Sequence, residues 1–192
     1  MDRRIIKTEN AFMDALIEAL VEKPLQKITV KELCERANMN RGTFYLHYKD
    51  VYDLMDKTET HMVNKIFEAC DFDNNSRETR IDEYDSILLV FNYIKDHKDL
   101  YRTLISSTDN LGFIKKLVEM IHDRVFDELT KSLPNINPDT IRSASMFFVG
   151  GSVSMFVDWV VNDCSSPPEE TIMASSAIYD YIYHEKSKRL NL

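Results

Sequence analysis

The sequence predicts an all-α protein. Apolar residues recur every three or four positions along much of the 192-residue chain, which is the spacing of one face of a helix. Glycine and proline, which dominate the turns of β-rich folds, number only 4 and 5. Residues that commonly cap helices precede several of the periodic runs. Together these observations predict about nine helices joined by few turns.

The first two helices are predicted from apolar spacing and from their ends. The first covers Arg3–Glu22, and Pro24 ends it. Thr29 and Glu32 have the spacing of a capping box, in which the hydroxyl caps a backbone N–H and the carboxylate reaches back. A short second helix is therefore predicted over Val30–Arg36.

The next helices follow from two further caps. After a tight turn at residues 37–39, Asn40 can cap a third helix that begins at Arg41. Asp50 can cap a fourth helix in the same way. The polar residues 71–79 are predicted to form a loop.

The rest of the chain is predicted to be helical. Asn137 followed by Pro138 is typical of a helix start, because proline is tolerated in the first turn. Ser166 and Glu169 flank two prolines and have the spacing of another capping box. The helices are predicted near residues 80–96, 98–106, 111–132, 138–162 and 168–187.

Charge divides the chain into two parts. Residues 1–50 hold nine Lys/Arg and eight Asp/Glu, whereas residues 51–192 hold fifteen and twenty-four. An acidic surface is repelled by DNA, so the nearly neutral N-terminal part is the only one expected to approach phosphates closely. The predicted domain boundary therefore lies after residue 50, between a nearly neutral domain at 1–50 and an acidic domain at 51–192.

Residues 29–54 have the pattern of a helix-turn-helix. Two short predicted helices are joined by a three-residue turn, and in this motif the second helix enters the major groove of DNA. Gly42 lets the backbone approach DNA closely, and Thr43 can hydrogen-bond a base edge or contact a thymine methyl. Tyr45, His47, Tyr48 and Lys49 follow with groups that bind phosphate.

The sequence from Thr29 to Asp50 closely resembles the TetR family of bacterial transcriptional regulators. The resemblance rests on the pattern T-V-x-x-L-C-x-x-A-x-M-N-R-G-T-F-Y-x-H-Y-K-D, followed by Leu54. It implies a three-helix DNA-binding head, a helical effector domain and a homodimer that pairs through its last two long helices. It also implies contact with double-stranded DNA at a palindromic operator through Thr29, Asn40, Arg41, Gly42, Thr43, Tyr45, His47, Tyr48 and Lys49.

Aromatic and sulfur-containing side chains in the second part form a candidate effector pocket. In TetR-like proteins such residues can line a cavity between helices, although at helical spacing each could equally belong to the core. The candidates are Tyr84, Phe91, Tyr101, Phe113, Phe126, Met146, Phe147 and Met155.

Small residues inside the helix near 138–162 favour close approach of another helix. Glycine costs about 1 kcal/mol against alanine in a helix, so two adjacent glycines need a packing reason. The approaching helix is either the dimer partner or the final helix of the same chain. The candidate dimer seam consists of Gly150, Gly151, Ser154, Trp159, Ile172 and Tyr179.

The sequence favours few other activities. No nucleotide-binding glycine loop or catalytic constellation is visible, so we expect no enzyme and no cofactor. Glu119 and His122 could share one helix face, but no further ligand accompanies them, so no metal is expected. The longest uncharged run, residues 143–157, has 15 residues, whereas a membrane-spanning helix needs about 20, so a cytoplasmic protein is predicted.

The predicted function is a sequence-specific transcriptional regulator, with a repressor released by an effector as the leading interpretation. The alternative is an interaction protein or co-activator of the same fold that is controlled by a protein partner. A partner bound to the acidic part, without any small-molecule response, would distinguish the two.

Overall fold

The computed structural model describes residues 3–69, 83–106 and 111–173. Every regular element in these ranges is helical, and the all-α prediction is confirmed. There are eight α-helices, a 3-10 helix at Leu25–Lys27, and a final helical stretch over residues 168–173. The α-helices are α1 (Arg3–Glu22), α2 (Val30–Arg36), α3 (Arg41–His47), α4 (Val51–Ala69), α5 (Glu83–Asp96), α6 (Lys98–Ser106), α7 (Leu111–Ser132) and α8 (Pro138–Val161).

The helix boundaries agree with the predicted ones wherever the chain is described. The bounds of α1 and α2 are those predicted, and α8 ends one residue before the predicted end at 162. The predicted loop at 71–79 and the end of the last predicted helix, beyond residue 173, lie outside the described residues. Local signals located these ends because caps and periodicity act within a few residues.

The cap of α2 forms only in part as predicted. The Thr29 hydroxyl accepts the N–H of Glu32 at 3.3 Å. The Glu32 carboxylate binds Lys23 at 2.6 Å and Arg36 at 3.0 Å instead of reaching back. Lys23 and Arg36 lower the pKa of Glu32, in that order of effect. Arg36 also donates to Glu22 at 3.0 Å, so this charge cluster ties α2 to the end of α1.

The predicted capping box at Ser166 is wrong. The Ser166 hydroxyl lies 2.9 Å from the hydroxyl of Thr171. The final helical stretch begins at residue 168, so Ser166 precedes its cap by one residue. The Ser166 carbonyl instead accepts the indole N–H of Trp159 at 3.0 Å.

The chain forms two compact units. Unit 1 contains residues 1–65 and 99–123, and unit 2 contains residues 66–98 and 124–192. Helices α4 and α7 each contribute to both units. The predicted functional boundary after residue 50 stays a prediction.

The core of unit 1 is built around aromatic rings and one buried ion pair. Phe12 and Phe44 meet edge to face, with ring centroids 5.3 Å apart. Lys116 on α7 lies 2.7 Å from the buried carboxylate of Glu59 on α4. A Cβ on Gly112 would lie 2.6 Å from that carboxylate, so the glycine leaves the space that Glu59 fills. Paired in this way, Glu59 is buried without an uncompensated charge.

The core of unit 2 is centred on Trp159 of α8. Its ring lies 4.9 Å from that of Phe91 on α5, and the ring of Phe156 lies 6.0 Å from Phe91. Helix α8 buries a residue at nearly every turn of the side that faces this core: Ile141, Ser145, Val149, Val153, Phe156, Trp159 and Val160.

Helix α8 is also the one described helix long and apolar enough to cross a membrane by length and composition. Its 18-residue window has a mean hydropathy of 1.5, and 33% of that window is buried inside the protein. The core helix of a soluble protein meets the same criterion. A single helix of this kind is weak evidence for a membrane span.

Candidate nucleic-acid interface

The turn between α2 and α3 is a Schellman motif with asparagine at its left-handed position. Asn38 has a φ of 52°, which asparagine adopts more readily than most residues. The N–H of Met39 donates to the carbonyl of Cys34 at 2.9 Å, and the N–H of Asn38 donates to that of Glu35 at 3.2 Å. These bonds end α2 sharply and set the angle at which α3 departs.

The start of α3 is held by Asn40, as predicted. Its Oδ1 accepts the N–H of Thr43 at 2.8 Å and also the Thr43 hydroxyl at 3.1 Å. A Cβ on Gly42 would lie 3.2 Å from the same Oδ1, so any larger residue would press on the cap. Gly42 therefore leaves room for the Asn40 cap, and it also leaves the backbone at this position accessible.

The inner side of α3 forms part of the unit 1 core. Phe44 is completely buried, and Tyr48 is 3% exposed with its ring 5.9 Å from that of Phe12. The Tyr48 hydroxyl has no hydrogen-bond partner among the described residues, and burial raises its pKa. The predicted phosphate contact of Tyr48 is therefore wrong, because its hydroxyl has no surface that a phosphate could reach.

His47 lies at the flank of α3 that faces α1. Its Nδ1 is 3.4 Å from a carboxylate oxygen of Glu9, and the side chain is largely covered. A phosphate approaching His47 would also approach Glu9 and be repelled. The structure therefore does not place His47 on the open surface with the other predicted contacts.

The outer side of α3 brings the remaining predicted contacts together. Arg41 and Gly42 are exposed, and Thr43 is half-buried between them and the core. Tyr45 is 59% exposed, with its ring edge-to-face against Phe44. Lys49 is exposed where the chain leaves α3.

Three residues join this surface without having been predicted. Thr8 and Lys31 line an open groove of about 900 Å³ together with Asn40, Arg41 and Thr43. Leu46 is exposed at the centre of the outer side of α3. The signals were present in the sequence: Lys31 follows the α2 cap by two residues, and Leu46 follows the buried Phe44 by two. Thr29 is exposed beside Lys31, with its hydroxyl engaged in the cap.

The first turns of α4 hold the end of α3. Asp50 caps α4 by accepting the N–H of Asp53 at 2.8 Å. Asp53 accepts the N–H of Lys49 at 2.9 Å, and Lys57 donates to the carbonyl of His47 at 2.8 Å. The bond from Lys49 and the charge of Lys57 lower the pKa of Asp53. We call Asp53 and Lys57 the α4 clamp.

The residues of the candidate effector pocket are divided between the two units. Tyr101 and Phe113 are completely buried in the unit 1 core, where Tyr101 donates to the Met62 carbonyl at 3.3 Å. Phe147 is 81% exposed and Met146 is also exposed. Burial or exposure alone does not test a role in an effector pocket, so these four assignments stay predictions.

The other pocket candidates lie in unit 2 or outside the described side chains. Phe91 and Met155 are half-buried there. Phe126 is half-buried beneath the guanidinium of Arg142, 4.6 Å from the ring centroid. The side chain of Tyr84 lies outside the described residues. The remaining pocket assignments therefore stay predictions.

The residues of the candidate dimer seam divide into buried and exposed ones. Trp159 and Ile172 are each 3% exposed and belong to the interior of the chain. Gly150, Gly151 and Ser154 lie on the exposed side of α8, and a Cβ on either glycine would meet nothing within 4 Å. Tyr179 lies outside the described residues. Among the described residues, the close approach inferred from the glycines therefore has no partner within this chain.

Two family models match the chain, and they account for both of its parts. Residues 12–57 match the model described as "Bacterial regulatory proteins, tetR family". Residues 82–184, more than half of the chain, match the "Transcriptional regulator C-terminal region" of TetR type. The chain belongs to the TetR family.

Individual relatives of this TetR-family chain are distant. The uncharacterized HTH-type transcriptional regulator YxbF of Bacillus subtilis strain 168 is 21% identical over 150 residues, which is 78% of this chain and 33% of YxbF. The chain thus spans about a third of the length of that relative. The family assignment therefore rests on the two models rather than on one close relative.

Solved structures share the fold. A chain described as a transcriptional regulator from Pseudomonas aeruginosa PAO1 superposes with a TM-score of 0.69 at 12% identity, covering 98% of this chain and 95% of that one. The regulator FadR from Bacillus subtilis, solved with stearoyl-CoA, gives 0.59 at 17% identity over 89% and 95%. The TetR family consists of DNA-binding transcriptional regulators, and this chain carries the helix-turn-helix of that family. The outer side of α3 is therefore its candidate DNA-reading surface.

A metal site has no support among the described residues, where no group of three or more ligating side chains was found. Glu119 is exposed beside Lys115, while His122 is buried, so the two do not share an open site.

Proposed function

We propose that this TetR-family regulator binds a palindromic operator as a homodimer and represses transcription until an effector releases it. In this proposal residues 1–50 read DNA, and residues 51–192 pair the two copies and hold the effector. The observation that carries it is the open outer side of α3, where Arg41, Gly42 and Thr43 lie together with no part of unit 1 covering them.

The chemistry of that surface supports DNA as its partner. Arginine donates hydrogen bonds to the acceptors of guanine, and threonine can hydrogen-bond the edges of several bases in the major groove. Lys49 and Lys31 supply charges for phosphates on either side of α3. The buried Phe44 behind them keeps α3 in place, so binding DNA needs little reordering of the helix.

An uncovered apolar surface on α8 supports the homodimer. Phe147, Gly150, Ser154 and Val161 recur at helical spacing on the side opposite the unit 2 core. Large exposed apolar patches mark interaction sites, and a two-fold axis would let the same patch serve both copies. Two recognition helices related by such an axis require half-sites about 34–36 Å apart.

The effector is proposed to be a molecule with a long apolar chain. The FadR neighbour was solved with stearoyl-CoA, which makes long-chain acyl-CoA the first class to test here. Half-buried Phe91, Phe126 and Met155 in unit 2 provide the apolar side chains that such a ligand would contact. Release requires tighter binding to the DNA-free state, typically by about 1–3 kcal/mol.

The proposal is tested by selecting bound sequences from a random DNA pool at about 0.15 M salt, where surface charge is screened. We expect a palindromic consensus and loss of transcription when that operator overlaps a promoter. The variant Arg41→Ala should no longer select the consensus sequence. The control variant Val21→Ala, at an exposed residue of α1, should still select it. A folded dimer that enriches no sequence would contradict the proposal.

A further inference from the structure

Leu46 is the most exposed large apolar side chain among the described residues. Its exposed fraction is 84%, compared with 59% for its neighbour Tyr45. A leucine held in water in this way loses the hydrophobic gain of burial and gives α3 no packing. Its side chain is therefore open to contact by a partner that binds the outer side of α3.

The geometry of α3 places Leu46 at the centre of the outer side. At about 100° per residue, Leu46 points nearly opposite to Phe44, which anchors α3 in the core. A helical side chain leans toward the residues three and four positions before it, which here are Thr43 and Gly42. Gly42 has no side chain, so no apolar group beside it covers Leu46. The side chain of Leu46 is therefore the apolar group that projects furthest from this surface.

The neighbouring groups indicate what covers Leu46. This step rests on the proposed DNA binding, in which Arg41 and Thr43 contact base edges. The major groove presents one apolar group, the C5-methyl of thymine, and apolar side chains contact it. We propose that Leu46 contacts a thymine methyl in each half-site and is a specificity-determining residue of the operator.

Tyr45 does not take this role. Its ring packs edge-to-face on Phe44 with centroids 5.5 Å apart, so it lies toward the flank of α3 rather than at its front. From there its hydroxyl is directed to the rim of the groove, where phosphates lie.

The test replaces each thymine of the selected operator with deoxyuridine, which lacks only the methyl group. We expect one thymine per half-site at which this change weakens binding of the unaltered protein about three- to fivefold, the effect of one buried methyl group. The variant Leu46→Ala should bind the operator with thymine and the operator with deoxyuridine at that position equally. Val21→Ala, another exposed apolar residue of the head, should keep the full methyl effect.

The outcomes separate this inference from the function on which it rests. A bound operator whose thymines all respond alike in the unaltered protein and in Leu46→Ala would overturn the role of Leu46 alone. A selected half-site without any thymine would also overturn it. Enrichment of no DNA at all, with the protein folded by circular dichroism, would overturn the proposed function together with it. A second variant, Leu46→Met, should retain methyl discrimination because its side chain is also apolar.

Discussion

The side-chain amine of Lys57 lies 2.8 Å from the carbonyl oxygen of His47, the last residue of α3. The two residues are ten positions apart, and the bond joins the second turn of α4 to the C-terminus of the recognition helix. The same amine lies 5.1 Å from the ring centroid of Tyr48 and 3.2 Å from Asp53. A side chain of α4 is therefore bonded directly to the backbone at the end of α3.

The first prediction concerns this bond. Lys57→Met keeps the length of the side chain but removes the donor, so α3 should lose part of its orientation. We expect specific DNA binding to weaken about three- to tenfold, because an ordinary hydrogen bond contributes about 0.5–1.5 kcal/mol and Lys57 is partly exposed to solvent. The salt dependence of binding should not change, because Lys57 is bound to protein atoms rather than to a phosphate.

Lys49→Met is the matched comparison for Lys57. It should weaken specific and random DNA binding alike and reduce the salt slope by about 1, since its charge is free to reach a phosphate. If Lys57→Met also reduced the salt slope, Lys57 would be a phosphate contact and not part of a clamp.

The second prediction concerns the pH dependence of the α4 clamp. The pKa of Asp53 in the folded protein lies below its ordinary value of 3.8. Its carboxylate therefore stabilises the folded state above that pH, and this contribution is lost as the pH falls through the folded pKa. We expect Asp53→Asn to be less stable than the unaltered protein at about pH 7, and the difference to shrink below about pH 4.

Urea unfolding across this pH range measures the contribution of Asp53. Asp99→Asn is a suitable control, because Asp99 is an exposed carboxylate on α6, away from the clamp. A stability difference between Asp53→Asn and the unaltered protein that grew on acidification would contradict the lowered pKa.

The third prediction concerns the buried hydroxyl of Tyr48. Tyr48→Phe keeps the ring contacts with Phe12 and Phe44 but removes a hydroxyl that is unpaired within the described structure. We expect the free energy of unfolding to rise by about 1 kcal/mol. DNA affinity and its salt dependence should stay the same. A weaker affinity for DNA would instead support a phosphate contact by the Tyr48 hydroxyl, which its burial argues against.

The fourth prediction concerns self-association through α8. Phe147→Asp places a charge in the proposed dimer surface, and we expect dimer affinity to fall at least about tenfold. Gly151→Leu should also weaken the dimer. The added leucine side chain would meet no atom of the same chain at its Cβ, but it would clash with a second copy packed closely against α8. Sedimentation at several concentrations measures both effects.

Leu133→Asp provides the control for Phe147→Asp. Leu133 is an exposed apolar residue just after α7, outside the α8 surface. A dimer equally weakened by Leu133→Asp, or unaffected by Phe147→Asp, would place the contact between copies elsewhere.

The helices and most of their ends could be predicted from local patterns of residues. Caps such as Thr29 and Asn40 act through bonds to residues three positions away, and apolar spacing repeats within a single helix. Such information is local, so no knowledge of the fold is needed to use it. The helix-turn-helix and the family followed because their residues lie within one short, continuous segment.

The side of each helix that faces the protein core became known only from the packing of the helices. Tyr48 and Leu46 are two residues apart in similar surroundings, yet one is buried and the other is the most exposed of its kind. Trp159 looked suited to a seam but packs on Phe91 from a helix far away in sequence. The bond from Lys57 to His47 likewise joins two helices. Periodicity defines a face, but what that face packs against depends on contacts distant in sequence, which a local pattern does not contain.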